Sequence, residues 1–481
     1  MFPLQRAVKP MVASLRMSVR PLPMVALLAL SDALALGLAG AVSVYLRLAF
    51  DGRYAPALYG QLWPILGVFL LAYAVAGLYP AVGVSPVDEL RRICLSTTFT
   101  YLVLGAGLFL TREGETYSRG VFLMAWLLSL VAVLLGRLLV RQLWAKQRWW
   151  GYPVLVLGAG QTGQLVIQSL HHHPGFGLKP VAVLDDDATK RGDLNGVPVL
   201  GPLSAAPMIA RRLEISYAIV AMPGLRRERL LQILEQYGHR FPHLLMIPDL
   251  FGVASLWVSP KDLGGMLGLE IRQQLLLPGP RMAKALLDLV LTVVVGLGLL
   301  PVIAAIALLV RLDSSGPIFY GHRRLGRDGR TFVAWKFRTM VDNADQVLEE
   351  YLAANPDLRS QWEQDHKLRY DPRITRLGGW LRHSSLDELP QLWNVLRGEM
   401  SLVGPRPIVR DEVVRYADKY ELYTKVLPGV TGLWQVSGRN NVSYQERVNL
   451  DAYYVRNWSV WLDIYILLRT VWVVMVGDGA Y

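Results

Sequence analysis

Asp387 and Glu388 are adjacent carboxylates in the run Leu381-Arg-His-Ser-Ser-Leu-Asp-Glu-Leu-Pro-Gln391, five and six residues after Arg382. Two local readings are open. Ser385 can cap a helix with Glu388 at its third position, each satisfying the other's backbone N–H. Alternatively Pro390, a residue suited to the first helical position, starts the helix and leaves the acidic pair just ahead of it. A helix start draws phosphate through its free N–H groups, so an acidic pair placed there needs a compensating cation. Mg²⁺ held by one carboxylate and a diphosphate would supply it. The second carboxylate could then attack phosphorus.

Cations surround this segment in sequence. His322-Arg-Arg-Leu-Gly-Arg-Asp-Gly-Arg330 precedes a strand-like Thr331–Trp335 and then Lys336-Phe-Arg338-Thr-Met340. Arginine grips phosphate in a bidentate way and lysine acts as a point charge; a solvated basic surface is the plain alternative. In Gly398-Glu-Met-Ser-Leu-Val-Gly-Pro-Arg-Pro407, prolines on both sides restrict the backbone at Arg406. An arginine so oriented could stabilise phosphoryl charge, or the segment could simply be a rigid turn.

These residues need a scaffold, and composition says which kind. Of 481 residues, 53% are hydrophobic and only 18% charged, with a mean hydropathy of +0.31. That excludes a disordered chain and argues against a wholly soluble one. A single cysteine, Cys94, excludes an internal disulfide, a zinc-finger array and a ferredoxin-type cluster. The net charge of +12 fits a membrane surface first and anionic substrates second; no nucleic-acid partner is expected.

Residues 1–150 read as a membrane domain with spans near 24–46, 61–80, 94–111 and 120–140. Asp32 lies inside the first and should snorkel or meet a polar neighbour. Ten Lys/Arg flank one side of these spans, Arg137 counted among them, against four on the other. The ten should be cytoplasmic, leaving the remainder of the chain there too. Residues 151–275 read as a Rossmann-like α/β module. Strand Pro153–Leu157 enters Gly158-Ala-Gly160-Gln-Thr-Gly163, and later strands are expected at Val181–Leu184, Tyr217–Ala221 and Leu244–Ile247. Gly158, Gly160 and Gly163 could cradle a nucleotide, with Asp185 on a ribose, or could serve the turn alone. Leu289–Val310 is long enough to span. Pro301 breaks the run, however, and both flanks are basic, so the expected form is a re-entrant helix over 285–311 that enters, breaks at Pro301 and returns. Trp458–Val476 reads as an interfacial helix or a buried one.

Lys336-Phe-Arg-Thr-Met, Ser385-Leu-Asp-Glu-Leu-Pro-Gln-Leu, Met400-Ser-Leu-Val-Gly-Pro-Arg-Pro407 and Pro428-Gly-Val-Thr-Gly-Leu-Trp-Gln-Val-Ser-Gly-Arg439 together resemble the bacterial sugar transferases. These are the monotopic polyprenyl-phosphate hexose-1-phosphate transferases. The resemblance covers residues 278–481, and the whole layout resembles the family's long form. It implies a mixed α/β catalytic domain with a re-entrant helix and transfer of hexose-1-phosphate, galactose before glucose, from a UDP-hexose to undecaprenyl phosphate. UMP is released, and the product starts a surface polysaccharide. It further implies a covalent phospho-sugar on the residue matching Asp387, Mg²⁺ on Glu388, and phosphates held by Arg382 and Arg406. Lys336, Arg338, Arg439 and Asp451 match further motif positions. A homodimer in the bacterial inner membrane, catalytic domain towards the cytoplasm, completes the expectation. The competing reading is a membrane-anchored nucleotide-sugar dehydratase or epimerase. Such enzymes need Tyr-x-x-x-Lys, and none of Tyr152, Tyr217 or Tyr237 has a lysine four residues on.

Overall fold

The computed structural model describes residues 21–50, 59–110, 117–147, 149–225, 228–229, 232–233, 240–248, 258–262, 267–271, 274–355, 359, 371–438 and 442–476. The chain divides into two compact units, Met1–Gly252 and Val253–Tyr481.

The first unit opens with helices α1 (Pro21–Phe50), α2 (Ile65–Val75), α3 (Pro86–Leu110) and α4 (Arg119–Trp144). The first, third and fourth are long and apolar enough to cross a membrane. The second expected span differs: α2 is only 11 residues. Pro64 stands immediately before it, and the approach from Tyr59 is wound in three-residue hydrogen-bonded turns. Ser85 accepts the Asp88 N–H at the start of α3, where Pro86 needs no donor and acidic residues favour the helix dipole. Gly136 lets α4 close on α1, since a Cβ there would lie 2.9 Å from the Ser31 hydroxyl.

Within this bundle Arg137 is not a loop charge as its sequence position suggested. It is 2% exposed and donates to Asp32 at 2.6 Å and Glu89 at 2.9 Å, while Tyr79 donates to Asp32. The polar neighbour that Asp32 required is therefore Arg137. Arg141, one turn further on, bridges Glu89 at 2.9 Å and the Gly175 carbonyl at 2.6 Å. Two carboxylates and two guanidiniums thus balance, and the same network clamps the bundle to the α/β module that follows.

That module has strands β1 (Tyr152–Leu157), β2 (Leu178–Leu184), β3 (Gly192–Leu194), β4 (Val197–Gly201), β5 (Tyr217–Val220) and β6 (His243–Met246) in the order β3-β4-β2-β1-β5-β6. All neighbours are parallel except the edge pair β3–β4. Helix α5 (Gln161–His172) follows β1 through the glycine turn. Gly158 has φ +112°, and a Cβ on Gly163 would fall 2.1 Å from the Gly158 carbonyl oxygen, so backbone geometry alone demands both. Asp185 turns onto that loop and accepts the Ala159 N–H at 2.7 Å. Helix α6 (Ala206–Leu213) packs its apolar stripe under the sheet.

The second unit begins with hairpin β7 (Val258–Asp262) and β8 (Leu267–Ile271), then α7 (Pro278–Asp313). Helix α7 runs through Pro301 without interruption. This departs from the expected break: proline removes one donor, and 23 helical residues precede it and 12 follow. Both arms of α7 are pinned to the same unit. Lys284 pairs with Asp463 at 2.8 Å, and Asp288 accepts the Ser401 hydroxyl at 2.7 Å. At the other end Ile306 and Val310 pack with Phe337 and Leu381. Between the arms, Val294, Leu297 and Leu300 are exposed.

Hairpin β9 (Phe319–Leu325) and β10 (Thr331–Phe337) follows, then α8 (Ala344–Ala354), α9 (Arg376–His383), α10 (Gln391–Leu396) and the short parallel pair β11 (Ser401–Val403) and β12 (Gly429–Thr431). The chain ends with α11 (Tyr444–Asn457) and α12 (Val460–Val476). A capping box formed by Ser443 and Glu446 starts α11. Helix α12 combines the two readings of its sequence: Leu462, Asp463 and Ile466 are buried, whereas Leu468, Val471 and Trp472 are exposed.

The Arg137 cluster gives a direct stability test. Arg137→Leu leaves Asp32 and Glu89 buried without their shared cation, which should cost about 3–5 kcal/mol. Thermal unfolding in detergent should show a large fall in midpoint. The double variant Arg137→Leu/Asp32→Leu should recover part of it, because it removes a charge together with its partner.

Candidate active site

The candidate site grows from the β9–β10 hairpin. Register pairs Arg324 with Phe332, His322 with Ala334 and Tyr320 with Lys336. Cross-strand partners share a face and alternate residues repeat it. Arg324, His322 and Lys336 therefore lie on one face, although 14 positions separate the first from the last in sequence.

Helix α10 holds the acidic pair against that face. Asn394, fully buried, accepts the Trp335 N–H at 3.1 Å and donates to the Val333 carbonyl at 2.7 Å. A side-chain amide thus completes the free edge of β10 and fixes α10 relative to the hairpin. Pro390 occupies the cap position of α10, and Leu386–Glu388 form a single 3₁₀ turn just ahead of it. The second local reading of this segment is the observed one. Ser385 is not a side-chain cap; it has φ +56° and reverses the chain between α9 and the acidic turn.

Lys336 Nζ lies 2.6 Å from Glu388 and 3.4 Å from Asp387. The cation that the acidic pair needs is thus present in the chain. Burial pushes the Asp387 carboxyl above its ordinary value and Glu388 adds to this; Lys336 and Arg382 oppose it. Burial would lower Lys336, but the two carboxylates outweigh it and raise the ammonium. Among the described residues no group of three acidic, His or Cys ligands stands together, and Lys336 Nζ lies between the two carboxylates. A divalent cation there would have Glu388 as its carboxylate ligand and would complete its shell with water and phosphate, as Mg²⁺ does.

The other expected site residues fall into three groups. Arg382 stands near Asp387 and donates to the Thr339 hydroxyl at 2.8 Å, which aims its guanidinium. Close approach makes this geometry possible: a Cβ on Gly378 would lie 2.1 Å from the Thr339 carbonyl oxygen. Arg406 is exposed, with its guanidinium carbon 5.6 Å from the Trp434 ring centre. Asp451 is enclosed beneath the Arg406 loop. It accepts the Tyr416 hydroxyl at 2.8 Å, and burial lifts its carboxyl to about 7 against the pull of Tyr416 and Arg406. It positions the loop and does not line the open face.

Arg338 differs from expectation. Its guanidinium donates to the Ser314 and Ser315 carbonyls at 2.7 and 2.6 Å, and the residue is 8% exposed. Those carbonyls follow the end of α7, so Arg338 caps that helix with its two terminal nitrogens. Arg439 lies outside the described residues.

Arg324 belongs to the basic run already expected to suit phosphate, whereas Arg447 and Asn394 carried no such expectation. Arg324 had a signal, since Gly326 and Gly329 frame a turn that pairs it across from β10. Arg447 and Asn394 had none, because only the tertiary fold brings them to the site.

Residues 279–477 match the family model described as bacterial sugar transferase, and residues 74–248 match one described as a CoA-binding domain. A UDP-galactose-lipid carrier transferase of Erwinia amylovora is 40% identical over 76% of both chains. An undecaprenyl-phosphate galactose phosphotransferase of Salmonella typhimurium is 37% identical, over 76% of this chain and 77% of its own. A UDP-glucose:undecaprenyl-phosphate glucose-1-phosphate transferase of Escherichia coli is 34% identical over 68% of both. With four quoted motifs in order, a paired acid turn held by Lys336, and relatives matched over three quarters of their length, this chain belongs to the bacterial sugar transferase family.

Proposed function

We propose that the protein transfers hexose-1-phosphate, galactose-1-phosphate first among the candidates, from a UDP-hexose to undecaprenyl phosphate. The reaction would begin a surface polysaccharide at the bacterial inner membrane. The observation that carries this reading is the Asp387–Glu388 turn with Lys336 between its carboxylates, bordered by Arg382 and Arg324. The relatives' names supply the substrate class.

In this reading Asp387 is the nucleophile. Its carboxylate oxygen attacks the phosphorus bearing the hexose. The bond from that phosphorus to the bridging oxygen breaks, and UMP leaves with the electron pair. A phosphate oxygen of undecaprenyl phosphate then attacks the same phosphorus and returns the carboxylate. Lys336 keeps Asp387 ionised although it is buried, and Arg382 offers its guanidinium to the phosphates. Glu388 would hold Mg²⁺, which when bound supplies positive charge to the diphosphate.

Helix α7 would enter the cytoplasmic leaflet and return. At ~1.5 Å per residue its 36 residues reach ~54 Å, well beyond a ~30 Å hydrocarbon core. Both arms are held by the same unit and the exposed apolar stretch lies between them, which favours re-entry bent near Pro301. The catalytic unit would then face the cytoplasm, where the UDP-hexose is.

Three outcomes check this. Incubation with a panel of labelled UDP-hexoses and undecaprenyl phosphate should give equal amounts of UMP and lipid-linked label, best with UDP-galactose. Release of UDP would contradict it. The pH profile should show the sign set by Asp387. A raised carboxyl stays protonated, hence inert, to higher pH, so kcat/KM should climb with an inflection above the ordinary ~3.9 of aspartate. Lys336→Met removes the opposing cation and should move that inflection further up. Finally, in a Cys94→Ala background, single cysteines at Gly279 and Ser315, one at each end of α7, should both resist a membrane-impermeant thiol reagent in intact cells. Labelling of one end alone would mean that the helix spans.

A further inference from the structure

His322 stands on the active face but takes no part in the phosphoryl chemistry proposed above. Register places it across from Ala334. Arg324 lies two residues along its own strand, and Lys336 is its diagonal neighbour on β10. Diagonal neighbours of this kind lie ~7–8 Å apart, within reach of long side chains. Lys336 touches both Glu388 and Asp387, and the charge of Glu388 acts on Arg324. Both cations that flank the ring therefore answer to the acidic turn.

The Nδ1 atom of His322 is shielded from solvent and has no hydrogen-bond partner among the described residues. An enclosed polar atom without a partner is rare enough to need a reason. The ring is also held uncharged. Burial keeps it below the ordinary imidazole value, and the charges of Arg324 and Lys336 add to this; the Arg323 backbone and Glu412 oppose them in part. A cation-rich face thus carries one neutral group with a donor and an acceptor. The proposed chemistry gives it no proton to move. A phosphate monoester titrates near ~6, so UMP can leave and undecaprenyl phosphate can attack as anions, without a general acid or base. Nor can a neutral ring compensate phosphate charge. What suits it is a group that is itself neutral and hydrogen-bonding, an alcohol. The hexose carries several, and it is bonded to the phosphorus that Asp387 attacks. The ribose of the nucleotide stands one phosphate further off.

We propose that His322 is a specificity-determining residue that hydrogen-bonds a hydroxyl of the hexose during transfer. This rests on the transferase reading above and adds to it the group that reads the sugar. Flanking cations hold phosphate whatever sugar is attached. A side chain placed to hydrogen-bond a hydroxyl instead rejects sugars that lack or misplace it, because its own polar atoms are then left unpaired.

Coupling between ring and sugar tests the proposal. The full chain in detergent, with saturating undecaprenyl phosphate, is given its preferred UDP-hexose, an epimer of that sugar, and analogues that each lack one hydroxyl. Values of kcat/KM are measured for the unmodified protein, for His322→Phe, which keeps a flat ring without nitrogens, and for His322→Gln, which keeps a neutral donor and acceptor. The phenylalanine variant should lose about tenfold on the preferred sugar. It should lose nothing on the one analogue that lacks the contacted hydroxyl. His322→Gln should recover part of the loss, and inhibition by added UMP should be unchanged in both. His322→Ala should reproduce the phenylalanine pattern, so the test stands if the larger ring disturbs packing. An equal fall on every sugar would overturn the proposal, as would activity within about twofold of the unmodified protein throughout. Weaker inhibition by UMP would mark the ribose as the partner and overturn it too. No UMP release from the unmodified protein with any UDP-hexose would overturn the transferase reading and this inference with it.

Discussion

Two adjacent carboxylates cannot share a half-buried turn as anions unless a cation stands between them. Lys336 is that cation, 2.6 Å from one and 3.4 Å from the other. Much of the catalytic unit maintains this contact. The hairpin register sets Lys336 on the same face as Arg324 and His322. Asn394 ties the helix after the acidic turn to the edge of the strand carrying Lys336. Ser385, in a left-handed conformation, turns the chain so that Asp387 and Glu388 face that strand. The balance matters chemically as well: burial alone would leave Asp387 protonated over a wider pH range, and a protonated carboxyl is a poor nucleophile.

The same unit is coupled to its long apolar helix α7 by buried polar contacts. Lys284 bridges Asp288 on its own helix and Asp463 on the last helix, and Asp288 accepts from Ser401 in the strand leading to Arg406. The Tyr454 hydroxyl lies 2.8 Å from the Val403 carbonyl and 2.7 Å from Asp463, with one proton to share between them. At the other end of the helix Arg338 caps it through two carbonyls. These ties link α7 to the position of the Arg406 loop. Their low exposure means that removing one partner would strand a buried charge, so the arrangement resists small displacements.

Local chemistry was legible where it depends on adjacent residues. The acidic pair, the constraint on Arg406 between two prolines, and the glycine turn after β1 all follow from neighbours in sequence. The parallel sheet was legible because its buried strands read as short apolar runs. Relations across distance were less accessible. Arg137 looked like a loop charge, and only the fold shows Asp32 and Glu89 closing on it from 105 and 48 positions away. Arg338 looked like a phosphate ligand because its type and its neighbour Lys336 suggested one. Its carbonyl partners on Ser314 and Ser315 have no side-chain signature. Pro301 marked an expected break within a returning helix, but one missing donor leaves α7 helical on both sides of it.

The proposed chemistry stands on Asp387 carrying the phospho-sugar. Intact-mass and peptide mapping after incubation with UDP-hexose, without lipid acceptor, tests it most directly. The account predicts a sugar-phosphate mass increment that maps to the peptide containing Asp387. The increment should vanish in Asp387→Asn and discharge when undecaprenyl phosphate is added. An adduct that persists in Asp387→Asn, or that maps to another residue, would contradict the account.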